Sequence, residues 1–308
     1  MLWDDRIGRR LRLKDLHTLQ TVAEAGSMAK ASRQLALSQP AISKAIADME
    51  HVLGAALLDR SAQGVEITDC GRLLLARGRI IFDELREGVR DIQNRSDPTR
   101  GEIRIGTTEP ITGFLCEIIS RMSRSYPRIT YQVAVSDTTT LVRDLRERML
   151  DVVITRWSGS AISDDLAAEV LYKAPLAVLA DRRHPLVIRK KLTLADTMNE
   201  AWTLSPADSF LGRVVGDVFR RRKLELPATV VTTLSIHMRL NLLASGRFLT
   251  MLPLHMVRQR ANRAWLRALN VDLSDSAGPI AAITVRKRAV GGALKLFQQA
   301  CRSTDREF

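Results

Sequence analysis

The run from Ser27 to Leu53, SMAKASRQLALSQPAISKAIADMEHVL, decides how this chain begins to fold. Met28, Ala31 and Leu35 recur at helical spacing, and so do Ile42, Ile46, Met49 and Leu53. Between the two stripes, Ala36-Leu37-Ser38 is a tight turn. Ser38 is a good N-cap, because its hydroxyl can accept from an orphan amide of the first turn. Pro40 falls in that turn, where a missing N–H costs little. Gln39, Ser43, Lys44 and Asp48 fall off the apolar stripe. Two short helices with an exposed polar N-terminus on the second are how a helix-turn-helix presents its recognition helix to the major groove. A compact helical hairpin with no nucleic-acid partner has the same pattern.

The flanks narrow the choice. Upstream, Leu13 to Ala25 is amphipathic; Gly26 ends it, and Ser27 is placed to cap the next helix. Residues 1–13 are a basic lead-in, read as a frayed terminus or an arm on phosphates. Downstream, Leu57-Leu58 and Val65-Glu66-Ile67 read as two short strands turning at Gly64, a wing on which Arg60 can reach a phosphate or stand solvated. A long helix starts at Thr68, with Leu74, Ile81, Leu85 and Ile92 as a pairing seam. The cluster from Asn94 to Pro98 stops it.

This order is similar to the N-terminal region of the LysR-type transcriptional regulators. The resemblance is carried by Leu16, the run Ala23 to Ser27, Ala31, Leu35, the run Ser38 to Ser43, Ile46, Glu50, Leu53-Gly54, Leu57, Arg60, Thr68 and Gly71. Leu58 departs from the family's usual Phe, and Met49 from its usual Leu. The resemblance implies that Gln39, Pro40, Ser43 and Lys44 face double-stranded DNA, with Ser27, Ser38 and Arg60 beside them. Glutamine can pair bidentately with adenine, and proline can touch a thymine methyl.

Charge contributes little to this reading. The chain of 308 residues carries +13, yet residues 1–100 hold 16 basic against 14 acidic side chains, so most of the excess lies beyond them. Three dispersed cysteines, Cys70, Cys116 and Cys301, suit reduced thiols rather than a disulfide framework. No bilayer-length apolar run or export signal is present, so the expectation is a cytoplasmic protein without a membrane partner.

From Gly101 the texture changes. EIRIGT, ITYQVAVS, DVVITR, LAVLA, TVVTT, FLTMLP and IAAITV are strand-like, with helical patterns at Gly113–Ser125 and Thr139–Leu150. The alternation predicts open, largely parallel α/β sheets. Two lobes, exchanged near Lys173 and Asp272, resemble the family's periplasmic-binding-protein-like effector domain. The expected plan is α/β overall. Residues 1–67 form a winged helix-turn-helix, 68–97 a linker and dimerisation helix, and 98–308 an effector-binding domain. Lobe 1 takes about 101–173 and 273–308, and lobe 2 about 174–272.

Ligands of such sheets bind at the carboxyl ends of strands. The candidates there are Thr107, Thr108, Glu109, Ser136, Thr138, Arg156, Thr233 and Ser235, each equally explained as a cap or turn residue. Glu109 opposes an acidic effector and suits a sugar's hydroxyls, whereas Arg156, Arg239 and Arg247 favour an organic acid. Arg247 stands where the family commonly has a small residue, which puts the usual cleft shape in question. No catalytic motif, cofactor loop or metal-like histidine spacing occurs, so no enzyme, cofactor or metal is expected. The resemblance further implies a homodimer or homotetramer and RNA polymerase as a partner. The alternative is a cytosolic small-molecule-binding or metabolic α/β protein whose N-terminal helices mediate assembly.

Overall fold

The computed structural model describes residues 10–61, 64–93, 97, 99–157, 164–259, 261–286, 288 and 290–303. The chain divides into two compact units, Met1–Val89 and Arg90–Phe308.

In the first unit, α1 (Leu13–Ala25), α2 (Met28–Leu35) and α3 (Gln39–Leu53) close over Leu19, Val22, Ala31, Ile42, Ile46 and Met49. Gly26 and Gly54 end α1 and α3 at φ of +63° and +67°, where a side chain is strained. Ala36 takes the same left-handed conformation at φ +53°, which sets the turn between α2 and α3. Ser38 caps α3 as its position predicts, accepting from the Ala41 amide at 3.3 Å. Ser27 does not cap with its side chain. It sits at the N-cap of α2, but the first turn closes through its carbonyl, which accepts from Ala31 at 3.0 Å.

The wing is β1 (Leu58–Ser61) paired antiparallel with β2 (Gly64–Ile67). It is tied to α3 by Glu50, whose carboxylate accepts from the Leu57 and Leu58 amides at 2.8 and 3.2 Å. Thr68 donates to the Ala56 carbonyl and accepts from Gly71, opening the long helix α4 (Asp69–Gln93). Gly71 is required there, since a Cβ would lie 2.2 Å from the Leu57 oxygen. Along α4, Leu74 is half-buried, while Ile81 (44% exposed), Leu85 (51%), Val89 (44%) and Ile92 (77%) face outward.

The second unit runs β3 (Gly101–Thr107), α5 (Thr112–Ser125), β4 (Ile129–Val135), α6 (Thr138–Arg146), β5 (Val152–Arg156) and β6 (Leu166–Ala174). It continues with β7 (Leu176–Asp181), β8 (Ala201–Leu204), α7 (Phe210–Arg221), β9 (Thr229–Thr232), α8 (Ile236–Ala244), β10 (Phe248–Pro253), β11 (Leu266–Ala268), β12 (Gly278–Val285) and α9 (Gly292–Ser303). Two five-stranded sheets result, ordered β4-β3-β5-β12-β6 and β11-β7-β10-β8-β9.

Both sheets are mixed, each with one strand reversed among four that share a direction. β4, β3, β5 and β6 run one way, and β12, between β5 and β6, runs against them; likewise β9, β8, β10 and β11 run one way, and β7, between β10 and β11, runs against them. The reason lies in the connections. Only Pro175 separates β6 from β7, so the chain passes straight from one sheet to the other without a crossover helix. It returns between Leu273, in the second lobe's core, and Gly278 at the start of β12.

The sequence reading did not include β6, β8 and β11. β6 carries three alanines with Glu169 and Lys173, which are poor strand formers, and the other two strands are only four and three residues long. Within the first lobe Asp151 is buried between two guanidiniums, 2.6 Å from Arg104 and 2.8 Å from Arg288. Burial pushes its carboxyl up. The Arg104 hydrogen bonds and the two positive charges outweigh that and hold it below the usual carboxylate range.

Candidate nucleic-acid interface and ligand cleft

At the start of α3, Ser38, Gln39, Pro40 and Lys44 are exposed and Ser43 is half-buried, while Ile42, Ile46 and Met49 on the other side are buried. Helical spacing aligns Gln39 with Ser43 and Pro40 with Lys44, giving a polar strip along one edge. Among the described residues, the side chains of Gln39, Ser43 and Lys44 engage no hydrogen-bond partner; Ser38 has its capping bond. Ser27 is half-buried at the head of α2. Arg60 lies on β1, but its side chain and the wing tip at Ala62-Gln63 lie outside the described residues. Glu50 is the residue whose role the sequence did not disclose. An acid late in an amphipathic helix looks like a solvated face until the two wing amides are placed against it.

The second unit holds a cleft of about 380 Å³ between its two sheets. Thr108, Glu109, Ser136, Thr138, Arg156 and Ser235 line it, with Asp137, Thr155, Ser205, Ser209, Phe210, Leu234 and Pro253 among the rest. Thr107 and Thr233 do not line it. Thr107 is fully buried with its hydroxyl donating to Ile154, and Thr233 accepts from the Ser235 amide. The added lining residues had a visible signal, because Asp137 and Ser209 immediately precede α6 and α7 and cap them.

The arginines are placed differently from the sequence expectation of a free cationic lining. Arg156 is buried and donates to the carbonyls of Ala174, at 2.8 Å, and Ser276. Burial pulls its pKa down to about 10. Arg239 is wholly buried and donates to Thr250, Ser205 and the Met251 carbonyl. Its pKa also falls to about 10 through burial, opposed by the charge of Glu109. Arg247 stacks over its neighbour Phe248 at 5.8 Å and is not part of the lining. Glu109 is engaged too, accepting from the amides of Ile236 at 2.7 Å and His237 at 3.0 Å.

Residues 13–72 match the family described as bacterial regulatory helix-turn-helix protein, lysR family, and residues 96–306 match the LysR substrate binding domain. The chain belongs to the LysR family. Relatives are distant and match over most of their length. The uncharacterised regulator YdcI of Escherichia coli is 25% identical over 90% of each chain, and GbpR of Azospirillum brasilense is 27% identical over 78% of this chain and 71% of its own. Full-length OxyR from Pseudomonas aeruginosa shares the fold at a TM-score of 0.71 and 18% identity, covering 96% of this chain and 95% of its own. CbnR in complex with its target DNA shares it at 0.57 and 21%, covering 96% and 100%.

As a LysR-type transcriptional regulator, the chain pairs a helix-turn-helix DNA-binding domain with a two-lobed effector-binding domain. The relatives named above by sequence are transcriptional regulators rather than enzymes. No helix among the described residues is long and apolar enough to cross a membrane.

Proposed function

We propose that this LysR-type regulator reads operator half-sites with the Gln39–Lys44 strip, supported by Ser27, Ser38 and Arg60. Residues 1–67 act as the reader, 68–97 as the dimerisation arm and 98–308 as the effector domain. The observation that carries the reading is the strip itself: polar side chains with no partner among the described residues, above the buried Ile42, Ile46 and Met49. Such a strip suits base edges and phosphates in the major groove.

The arm pairs two chains through Ile81, Leu85, Val89 and Ile92, giving a homodimer or, by pairing of dimers, a homotetramer. A small molecule in the effector cleft, contacting residues such as Thr108, Ser136, Thr138 and Ser235, favours one assembly geometry over another. That shift alters polymerase recruitment at the promoter. The chain works in the cytoplasm and performs no catalysis.

Gel retardation with DNA from upstream of the chain's own gene tests the core of this reading. Specific retardation that survives competitor DNA at moderate salt is expected, and its absence at low and moderate salt overturns the proposal. Leu85→Glu puts a charge into the arm and is expected to shift the sedimentation profile toward monomer; an unchanged profile rejects the arm.

A further inference from the structure

We infer that the Glu109 carboxylate is a built-in occupant of the cleft's anion position, so the cleft takes an uncharged ligand beside it and disfavours a carboxylate. The inference deepens the proposed effector site and rests on that reading.

Glu109 belongs to the lobe built on β3, and α8 belongs to the other lobe, 127 residues away in sequence. A helix N-terminus offers unpaired amides and a positive dipole end, which favour a carboxylate. At α8 those amides are all engaged. Ile236 and His237 donate to the two oxygens of Glu109, Met238 donates to the Ser235 hydroxyl at 3.2 Å, and Arg239 donates to the Ser235 carbonyl. A ligand's carboxylate therefore finds no donor there unless it displaces Glu109.

Two more contacts fix the Glu109 segment across the cleft. The Pro110 carbonyl lies 2.9 Å from Nε2 of His255, and Gly113 packs so closely on Gln259 that a Cβ would fall 2.4 Å from its side-chain nitrogen.

Charge points the same way. The cleft lining presents two carboxylates, Glu109 and Asp137, and Arg156 already donates to two carbonyls. Asp137 caps the Thr139 and Thr140 amides of α6. Behind the lining, Arg239 hydrogen-bonds neutral acceptors, and Glu109 is the carboxylate that balances its charge. An added carboxylate would meet Glu109 and Asp137 and compete with the carbonyls that Arg156 already serves, while Ser136, Phe210 and Leu234 suit an uncharged molecule with a hydroxyl or amide group and an apolar face.

The test is chemical complementation, read by calorimetry on the full chain. Glu109→Gly deletes the carboxylate and is expected to lower the melting temperature of the effector unit by about 2–6 °C. Sodium acetate, saturating in the roughly 10–100 mM range expected of so small an anion, restores the variant's melting temperature. Sodium chloride at equal ionic strength does not, and the wild type is unmoved by acetate.

Glu109→Gln keeps the shape but offers one acceptor oxygen; it melts lower than wild type and gains nothing from acetate. Equal acetate effects on wild type and Glu109→Gly, or no drop in melting temperature, overturn the inference. If Glu109→Gly does not fold, a Glu109→Gln variant melting with wild type overturns it, and a lowered melting temperature sustains it. Failed rescue with operator retardation intact removes this inference alone; absent retardation by the wild type removes the regulator reading instead.

Discussion

The start of α3 and the cleft of the second unit are both lined with polar side chains, but those side chains are in opposite states. On α3, Gln39, Ser43 and Lys44 stand over a closed apolar core with their hydrogen-bonding capacity unengaged among the described residues. In the cleft, Glu109, Asp137, Arg156 and Ser209 are engaged with backbone groups of their own chain. An unengaged strip suits an external polymer of donors and acceptors. An internally satisfied cleft restricts a ligand to what its existing bonds leave over. The difference predicts that altering engaged groups costs stability, whereas altering unengaged ones costs recognition.

The largest effect belongs to the most deeply engaged group. Asp151→Leu leaves Arg104 and Arg288 buried without their carboxylate and should destabilise the effector unit by about 3–5 kcal/mol in urea denaturation. A loss below ~1 kcal/mol would show that this network is not the structural tie its burial suggests.

Gln39→Ala is the converse case. It should cost roughly 1–3 kcal/mol of discrimination between the operator and single-base variants of it, with the melting temperature unchanged. Unaltered discrimination removes Gln39 from the reading.

The smallest effect is the pH response of the interlobe contact at His255. Burial chiefly, with the charges of Arg156 and Arg258, lowers its pKa from 6.5, against the Pro110 hydrogen bond, which raises it. The unfolded chain then takes up a proton near pH 6.5 that the folded chain refuses. His255 therefore contributes fully above that pH and loses its contribution as pH falls toward the depressed folded value. His255→Gln should flatten the fall in stability between pH 6.5 and 5 by up to about 1 kcal/mol per pH unit. His184, also lowered by burial, keeps its own share in the variant. Parallel pH profiles for wild type and variant would dissociate His255 from the acid response.

How far these regions are legible in the sequence follows from the range of the interactions that build them. The reader's helices, its caps at Ser38 and Thr68 and its left-handed glycines are short-range features, so periodicity and residue type suffice to place them. What exceeded the pattern there was Glu50, whose partners lie seven and eight residues on, beyond one helical turn. In the effector unit, the alternation of strand and helix signalled the α/β class, but it did not show that β12 and β7 run against the neighbours on both sides.

The cleft shows the same limit residue by residue. Thr108, Ser136, Thr138 and Ser235 are at strand ends and helix starts, positions a sequence can mark. Thr107 and Thr233 have the same local signature, yet they stay outside the lining, Thr107 fully buried on its strand. Residue type could not sort one set from the other, because the fold decides which side chains face the space between the sheets.

By itself, then, the sequence determined the helix-turn-helix with its wing and long helix, the α/β class of the second unit and the polar strip from Gln39 to Lys44, while the two lobes came from the family resemblance. The elements and the strip rest on periodicity, capping and turn chemistry within a few residues. Only the tertiary structure decided which charges are available. Arg156 and Arg239 read as cations awaiting an acid until carbonyls and hydroxyls up to 120 residues distant were seen to receive them. Glu109 read as a cleft carboxylate until the N-terminus of α8 was found against it. Hydrogen bonds and ion pairs are set by proximity in space, and proximity across 127 residues has no local trace in the chain.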